Sequence, residues 1–380
     1  MGEDTLYADF LRTVREWCEN EVAPRARDID ERSAFFPDLL RQGAELGLHG
    51  LIFDDAGRID LTYFDLAHET TELVASYSGA VALGLCIGRL HPYLLAKYAE
   101  ETVAAAWVPR LLRAEVFGAF AISEPDAGTD VRGITSVAVP DGTGYRLNGE
   151  KAWVTQGPAA AMAIVLTKIG SRDRKADTGA FVVPFDAAGV TVGKDEPMAG
   201  FRGMPGCNLA LSDVWVPADH RLRVDGFRGM MEGVNLSRID AAGYAVGFLR
   251  GCLRRAGAYA AERKAFEAPI GSLQAIQLKL GHMATDYAAA RALLGQAVRS
   301  FQSGGGGDPI LLAEAKLFAS DAAMRHAVEA VQVFGGYGMH REYEIERLMR
   351  DAKITQIFDG TSEILALTVG RDVVRGAAAY

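Results

Sequence analysis

Apolar residues at helical spacing dominate the first third of the chain. In the first segment they recur at intervals of three or four residues, at Leu6, Phe10, Val14 and Trp17. This spacing predicts an amphipathic helix that Pro24 ends or bends. Similar spacing predicts helices around 39–46 and over 62–82, 85–98 (interrupted at Pro92) and 99–113. Residues 1–112 are therefore predicted to form an N-terminal helical domain.

Short apolar and β-branched runs replace that spacing between residues 113 and 228. Glycine and aspartate clusters separate the runs, and no helical period lies between them. The runs cover 163–166, 180–183, 190–192 and 209–216. Short strands at this spacing predict a small antiparallel β-barrel or sandwich, so residues 113–228 are predicted to form a middle β-domain.

Long helical periods return after Met230. They cover 232–262, 270–302, 308–334 and 341–358, with a final helix after Thr361. Long antiparallel helices with short links form a bundle, so residues 229–380 are predicted to form a C-terminal helical bundle. The expected fold class is mainly α with a central β-domain. Such a plan leaves a crevice where three units meet, which is a common place for a cofactor.

Composition and charge narrow the class of protein. Of 380 residues, 49% are apolar and 23% charged, which is ordinary for a folded globular protein. The net charge of −9 argues against a nucleic-acid surface. The four cysteines show no paired spacing and favour neither disulfides nor zinc. With no signal peptide and no unbroken apolar span, we expect a cytoplasmic protein with no membrane segment.

Two short motifs imitate functional signatures without their context. The run 68–72 (His-Glu-Thr-Thr-Glu) lacks the second histidine of a zinc helix. The run 335–338 (Gly-Gly-Tyr-Gly) does not follow a strand of a βαβ unit, so it is not a dinucleotide fingerprint. The seven histidines have no ligand spacing, and no metal is expected.

A turn near the C-terminus carries a candidate catalytic carboxylate. Asp359 and Gly360 form a turn dipeptide, and Thr361 and Ser362 can cap a new helix near Glu363. A carboxylate there sits where backbone N–H groups gather at a helix start. An isolated Asp-Gly pair usually only shapes a turn, so the rest of the chain decides its meaning.

Five motifs supply that context. The block 118–130, GAFAISEPDAGTD, exposes backbone N–H groups suited to an anionic or carbonyl-rich ligand. It resembles the signature of the acyl-CoA dehydrogenase family nearly residue for residue. Four further segments resemble the family's motifs in the family's order: 148–155, 262–274, 332–338 and 350–364. The predicted helix–β–helix layout agrees with the family fold.

The resemblance implies an FAD enzyme that removes the α-proton and β-hydride of an acyl thioester. Ser123 and Thr155 would bond the isoalloxazine, Trp153 would pack on its face, and Arg263 would pair with phosphate across a subunit contact. The residues matching the family's FAD positions are Phe120, Ile122, Ser123, Gly128, Thr129, Trp153, Thr155, Arg263, Phe266, Gln274, Gln332, Gly336, Thr361 and Glu363.

By the same resemblance Asp359 is the base, and its backbone N–H helps to stabilise the thioester oxygen. The residues matching substrate positions are Thr129, Asn235, Arg238 and Gly360. Most relatives carry Glu at the base position. Asp is shorter by one methylene, and a misplacement of about 1 Å can cost about a hundredfold in rate. Some relatives that oxidise cyclic acyl thioesters look similar in using Asp. Asp240 is a rival base, although polar packing is the better interpretation.

The carrier, the partners and the direction of the reaction remain open. The resemblance implies an acyl-CoA substrate, an electron-transferring flavoprotein as acceptor, and a homotetramer (or homodimer). The loops 51–58 and 219–229 are short compared with the family, which favours a small or unusual acyl group, or an acyl carrier protein thioester. The alternatives are a flavin monooxygenase, an enoyl-thioester reductase, or a subunit of a hetero-oligomeric dehydrogenase.

Overall fold

The computed structural model describes residues 3–376. Helices build its N-terminal part. They are α1 (Glu3–Trp17), α2 (Ala23–Arg32), α3 (Pro37–Glu45), α4 (Phe64–Ala75), α5 (Gly79–Tyr98) and α6 (Glu101–Leu112). Pro24 lies in the first turn of α2, after a π-helical segment at Cys18–Val22. The backbone stays helical through this proline, whose missing N–H is tolerated in a first helical turn.

Two predicted helix boundaries in this region are wrong. The single helix over 62–82 is divided at 76–78, because Ser78 caps α5 by accepting a hydrogen bond from the Val81 N–H at 3.4 Å. Pro92 does not interrupt α5, which continues to Tyr98. An interior proline costs about 3 kcal/mol, and the nearly complete burial of α5 outweighs that cost.

Helix α5 is long and apolar enough to cross a membrane by length and composition. However, 83% of its most apolar window is buried inside the fold. The helix packs against α3, α4 and α6, against the long helix at Gly226–Glu262 and against the strand at Gly118–Ala121 of the middle region, as expected of a core helix. We therefore assign α5 to the protein core.

The middle region is a β half-barrel. Its strands are β1 (Gly118–Ala121), β2 (Val137–Asp141), β3 (Gly144–Thr155), β4 (Met162–Ile169), β5 (Thr178–Pro184), β6 (Val190–Val192) and β7 (Gly206–Pro217). The order is β1-β4-β2-β3-β7-β6, with β5 paired to β4. Most pairings are antiparallel, while β1 and β2 each pair parallel with β4. The apolar runs predicted as strands lie in β4, β5, β6 and β7.

The central strands are buried on both faces, which explains their unbroken apolar runs. On β4, Ile164 and Leu166 join the core shared with the helices, while Ala163 and Val165 join the core inside the β-region. One face of the sheet is thus fixed against the helices. That packing positions the ends of β1 and β3 relative to the C-terminal region.

The C-terminal region contains the long helices that the sequence predicts. They are α7 (Gly226–Glu262), α8 (Gln274–Gln302), α9 (Pro309–Phe334), α10 (Ile345–Thr355) and α11 (Ser362–Val374), with a small hairpin of β8 (Lys264–Ala265) and β9 (Ala268–Pro269). Helix α7 begins six residues before its predicted start because Asp225 caps it through the Arg228 N–H at 3.0 Å. The domain limits at 112 and 228 stay predictions.

Helix α7 links the three regions. It packs against α4 and α5 of the N-terminal part and against α8, α9 and α10 of its own region. The ring of Phe120 in β1 lies close to Gly233 of α7: a Cβ added at Gly233 would be 2.9 Å from the Phe120 Cζ atom. A glycine at 233 therefore brings the first flavin-like motif against the helix that also carries Asn235 and Arg238.

Candidate active site

Asp359 lies on the turn between α10 and α11. The turn is tight, with left-handed φ angles of 54° at Asp359 and 101° at Gly360. Thr361 caps α11 by accepting a hydrogen bond from the Ile364 N–H at 3.3 Å, as the sequence predicts. Asp tolerates the left-handed region better than most residues, and Gly adopts it at no steric cost. The sequence Asp-Gly-Thr therefore shapes the turn and places the carboxylate at a helix start.

Three donors from neighbouring helices hold this turn. Ser237 Oγ donates to Asp359 Oδ2 at 2.7 Å, and Arg238 Nε donates to the Asp359 carbonyl at 2.9 Å. From α9, Lys316 Nζ donates to the Gly360 carbonyl at 2.6 Å. Both the side chain and the backbone of Asp359 are thereby fixed. By the family resemblance Ser237 stands at a second base position, where a serine cannot act as base, but its contact with the turn was not predicted. Lys316 was not predicted at all, since neither residue is close to the turn in the chain.

The surroundings make Asp359 a weaker acid than a free aspartate. Burial raises the pKa of its carboxyl, while the Ser237 hydroxyl and the cations of Lys316 and Arg238 oppose that rise. Burial also lowers the pKa of the Lys316 ammonium to about 8. A carboxylate with a raised pKa is a better proton acceptor than a free one, which suits a general base.

The residues matching substrate positions lie at this turn, with one exception. Asn235 Oδ1 accepts a hydrogen bond from Arg238 Nη1 at 3.0 Å, and Arg238 in turn holds Asp359. A side chain at Gly360 would come within 3.4 Å of Arg238 Nη2. Thr129 instead lies on an exposed loop of the β-region. The structure thus gathers Asn235, Arg238 and Gly360 around the candidate base.

Asp240, the rival base, is committed to an ion pair. Its Oδ1 atom lies 2.8 Å from Arg89 Nη2, and both side chains are almost completely buried. The same guanidinium group also donates to Thr71 Oγ1 at 2.8 Å and contacts Cys86 Sγ at 3.0 Å. A carboxylate buried in an ion pair of this kind has a structural role, which supports polar packing.

The first two flavin-like motifs lie side by side. The Ala152 N–H donates to the Ser123 carbonyl at 2.9 Å, which joins the end of β1 to β3. An irregularity in the β3–β7 pairing between Lys151 and Val154 turns Trp153 outward. Its φ angle is 59° and its side chain is 66% exposed. An outward, exposed indole is available to pack on a flat ligand.

A buried ion pair supports these motifs from inside. Lys151 Nζ lies 2.8 Å from Glu124 Oε1 and also donates to the Ile122 carbonyl at 3.0 Å. Burial lowers the pKa of the Lys151 ammonium to about 8. Burial would raise the pKa of the Glu124 carboxyl, but Lys151 and nearby donors lower it to about 2. The sequence signal that we missed is a lysine inside an apolar strand, which needs a partner.

The remaining cofactor positions form a separate, exposed group. The Arg263 guanidinium group lies 5.5 Å from the centre of the Tyr337 ring, so the segments 263–274 and 332–338 are neighbours. The Phe266 side chain is 89% exposed. Exposed residues of this group also include Gln274, Gln332 and Gly336. The structure gives this group no contact with the Asp359 turn within the described part of the chain.

Each of the three regions matches a domain profile of known proteins. Residues 7–115, 119–214 and 224–374 match the profiles of the acyl-CoA dehydrogenase N-terminal, middle and C-terminal domains. The chain belongs to the acyl-CoA dehydrogenase family. As a member it is an FAD-dependent oxidoreductase that dehydrogenates acyl thioesters. This confirms the family, the fold class, the enzyme class and the cofactor expected from the motifs.

Similar proteins cover nearly the whole chain. Cyclohexane-1-carbonyl-CoA dehydrogenase of Geobacter metallireducens is 33% identical over 96% of this chain and 97% of its own. Cyclohex-1-ene-1-carbonyl-CoA dehydrogenase of Syntrophus aciditrophicus is 33% identical over 96% and 89%. The butyryl-CoA dehydrogenase structure from Megasphaera elsdenii superimposes with a TM-score of 0.92 at 31% identity, covering 99% of both chains.

The residues of this acyl-CoA dehydrogenase fit an FAD. In the part of the chain that the structure describes, the hydroxyl groups of Ser123 and Thr155 make no hydrogen bond to protein and are half-buried beside Trp153. A Cβ built at Gly128 or Gly336 would meet no atom within 4 Å, so backbone can approach a ligand there. Free donors, an outward aromatic ring and open glycine backbone are what a flat cofactor with a pyrophosphate requires.

Proposed function

We propose that this chain dehydrogenates a small, branched or cyclic acyl thioester, with Asp359 as the base that removes the α-proton. The observation that carries the proposal is the Asp359 turn. Its carboxylate is half-buried and held by Ser237, and its pKa is raised, while Asp240 is bound to Arg89. Asp240 is held in a buried ion pair in the helical core, whereas the Asp359 carboxylate lies on the turn next to Arg238 and Asn235.

The same turn can stabilise the charge that develops on the thioester. An α-C–H next to a thioester is too weak an acid for a carboxylate alone, so the carbonyl oxygen needs a donor as enolate charge develops. Among the described residues, no acceptor bonds the Asp359 backbone N–H, and the residue has a left-handed φ of 54°. We propose that this N–H donates a hydrogen bond to the carbonyl oxygen of the thioester. Asn235 and Arg238 would hold the carrier arm next to it.

FAD supplies the acceptor for the β-hydride when it is bound. Phe120, Ile122, Ser123, Trp153 and Thr155 would hold its ring system, and Gly128 and Thr129 would lie at its pyrophosphate or at the pantetheine arm. Thr361 caps α11 and Glu363 lies in its first turn, so both would lie near the cofactor on the side of the base. The outward indole of Trp153 would shield one face of the ring from water.

The exposed group around Arg263 supports an assembly of subunits. Arg263, Phe266 and Gln274 project from the surface, and Phe266 is almost fully exposed. Large exposed apolar side chains of this kind mark interfaces. We propose a homotetramer, or a homodimer, in which this group meets the adenine side of a neighbour's FAD together with Gln332 and Gly336. An electron-transferring flavoprotein in the cytoplasm is the proposed acceptor.

The substrate proposal combines the short base with the relatives. Asp359 reaches one methylene less far than a glutamate, and the hydrogen bond from Ser237 confines it further. A base of short reach requires the α-carbon to come close. Two relatives at 33% identity are named for cyclohexane and cyclohexene carbonyl-CoA. A compact ring or a short branched chain is therefore the acyl group that we propose, on CoA or on an acyl carrier protein.

An anaerobic titration of the flavin spectrum tests the proposal. The panel contains straight, branched and cyclic acyl-CoAs and the same acyl groups on a carrier protein. We expect a cyclic or branched thioester to bleach the flavin, and Asp359→Asn to abolish bleaching while the flavin stays bound. Asp240→Asn is the matched control and should keep the reaction. Bleaching by Asp359→Asn at the unchanged rate, or by long straight chains only, would refute the proposal.

A further inference from the structure

The hydroxyl group of Ser237 makes an unusual contact for a helical serine. Serine and threonine inside helices often bond a carbonyl three or four residues back, as Thr70 and Thr71 of α4 do with the Ala67 carbonyl at 2.8 Å. Ser237 instead donates to Asp359 Oδ2 at 2.7 Å, across 122 positions of sequence. The contact is thus a tertiary one, directed at a single carboxylate oxygen.

This hydrogen bond gives the two carboxylate oxygens of Asp359 different partners. Oδ2 accepts from Ser237, while Oδ1 has no hydrogen bond to any residue that the structure describes. Arg238, the next residue of α7, holds the carbonyl of the same aspartate at 2.9 Å. Lys316 fixes the following carbonyl, that of Gly360. With the backbone fixed and Oδ2 engaged, rotation of the side chain is restricted and Oδ1 is the oxygen that remains free for a proton.

We propose that Ser237 is a positioning residue for Asp359. This inference rests on the proposed function of Asp359 as the base. By holding Oδ2, the hydroxyl keeps Oδ1 in the orientation that meets the α-carbon, and it offsets the short reach of the side chain. Ser237 itself takes no proton. A reacting geometry that drifts by about 1 Å loses about a hundredfold in rate, so a single well-placed donor matters here.

The charges around the carboxylate predict how its titration responds. Arg238 and Asp240 face it from α7, and Lys316 faces it from α9. The Ser237 hydroxyl donates to the ionised form and so stabilises it. Removing that donor leaves the three charges in place and weakens only the ionised form. The pKa of Asp359 should therefore rise further in a variant that lacks the hydroxyl.

The first test compares three variants in single-turnover flavin reduction without oxygen. Ser237→Ala removes the hydroxyl, Ser237→Thr keeps it, and Ser320→Ala is the matched control. Ser320 is buried and donates to the Thr355 carbonyl at 3.0 Å, near the same turn but away from the carboxylate. We expect Ser237→Ala to lower the limiting rate by about 10- to 100-fold with little change in KM. Its acid limb in kcat/KM should move to higher pH.

Ser237→Thr should restore the rate and the pH profile, and Ser320→Ala should keep the profile of the unchanged chain. The proposal is overturned if Ser237→Ala behaves like Ser320→Ala, or if its rate falls without any shift of the acid limb. It is also overturned if Ser237→Thr, folded and with flavin bound, is as slow as Ser237→Ala.

A second test does not need catalysis. Thermal unfolding of Ser237→Ala, Asp359→Asn and the double variant at pH 5 and pH 8 measures the coupling between the two side chains. We expect the double variant to lose less melting temperature than the two single losses added together, and more clearly at pH 8. Additive losses at both pH values would refute the contact. If Asp359→Asn still reduces flavin, the proposed function fails while this coupling stands, so the two failures are distinguishable.

Discussion

Replacing Arg89 by methionine removes the cation from a buried ion pair. Arg89 Nη2 lies 2.8 Å from Asp240 Oδ1, and the two side chains are only 4% and 3% exposed. Burial already raises the pKa of the Asp240 carboxyl, and Arg89 opposes that rise. Without Arg89 the carboxylate stays buried beside His68, whose Nδ1 atom lies 3.7 Å from Asp240 Oδ1 and whose pKa is lowered by burial, so that the imidazole is a neutral neighbour.

The expected loss of stability follows from that geometry. Removing one partner of a buried pair costs about 3–5 kcal/mol, whereas replacing both partners by apolar residues is often nearly neutral. At about 2.1 cal/mol/K of unfolding entropy per residue, a chain of 380 residues has roughly 0.8 kcal/mol/K. A loss of about 4 kcal/mol therefore lowers the melting temperature by about 5 °C if the chain unfolds as one unit.

The loss of stability in Arg89→Met should depend on pH in a definite direction. A carboxyl whose folded pKa is raised contributes stability at low pH that is lost as pH rises through the folded pKa. In Arg89→Met the Asp240 carboxyl titrates at higher pH than before, because its cation is gone. The deficit relative to the unchanged chain should therefore be largest at pH 8 and shrink toward pH 5, where the carboxyl is protonated.

Thermal unfolding at a fixed protein concentration measures the effect at pH 5, 6.5 and 8. The matched comparison is the double variant Arg89→Met/Asp240→Leu, which should recover most of the loss and should not show the additional deficit at pH 8 that the single variant shows. A single variant within about 1 °C of the unchanged chain would refute the reasoning. So would a double variant that is as unstable as the single one.

Three further predictions concern acid stability, the β3 strand and the buried lysine. Buried neutral histidines have lowered pKa values in the folded state, so the unfolded chain binds more protons and the stability should fall as pH drops from about 6.5 toward 4. A melting temperature that stays flat from pH 7 to 4.5 would contradict this. Burial lowers the pKa of His49 to about 4, that of His91 to about 3 and that of His68 well below its usual value. At Gly149 (φ 151°) a Cβ would lie 2.2 Å from Ser136 Oγ, whereas a Cβ at Gly142 would meet no atom within 4 Å. Gly149→Ala should therefore lower the free energy of unfolding, measured by chemical denaturation, by about 2–4 kcal/mol, and Gly142→Ala by about 1 kcal/mol. Equal losses would argue against the clash. Lys151→Met should leave the buried Glu124 carboxylate without its cation and lower the amount of flavin bound per chain. Absorbance after gel filtration measures the bound flavin, and full flavin occupancy would be the contrary result.

The order of helices and strands follows from local pattern, and the structure confirms it. Apolar spacing of three and four residues gave α1 and α3, and unbroken apolar runs gave β4 and β5. Errors arose where tertiary packing competes with local preference. Pro92 lies inside α5 because the surrounding core outweighs the lost hydrogen bond, and no local pattern carries that information.

The candidate site divides in the same way. Asp359, Gly360 and Thr361 could be recognised because turn formation and capping depend on neighbours in the chain. Ser237 and Lys316 could not, because their contacts with the turn cross 122 and 44 positions of sequence. The roles of the cofactor and substrate residues stay predictions until the titration and the variants are measured.

The sequence by itself determined the family, the fold class and the identity of the candidate base, because motifs and apolar periodicity are properties of neighbouring residues. Only the tertiary structure shows the partners of the two candidate carboxylates. Asp240 and Asp359 are the same residue type, but one faces a guanidinium group inside the helical core and the other a hydroxyl group on a half-buried turn. A carboxylate's chemistry depends on its burial and its partners, and folding alone supplies both.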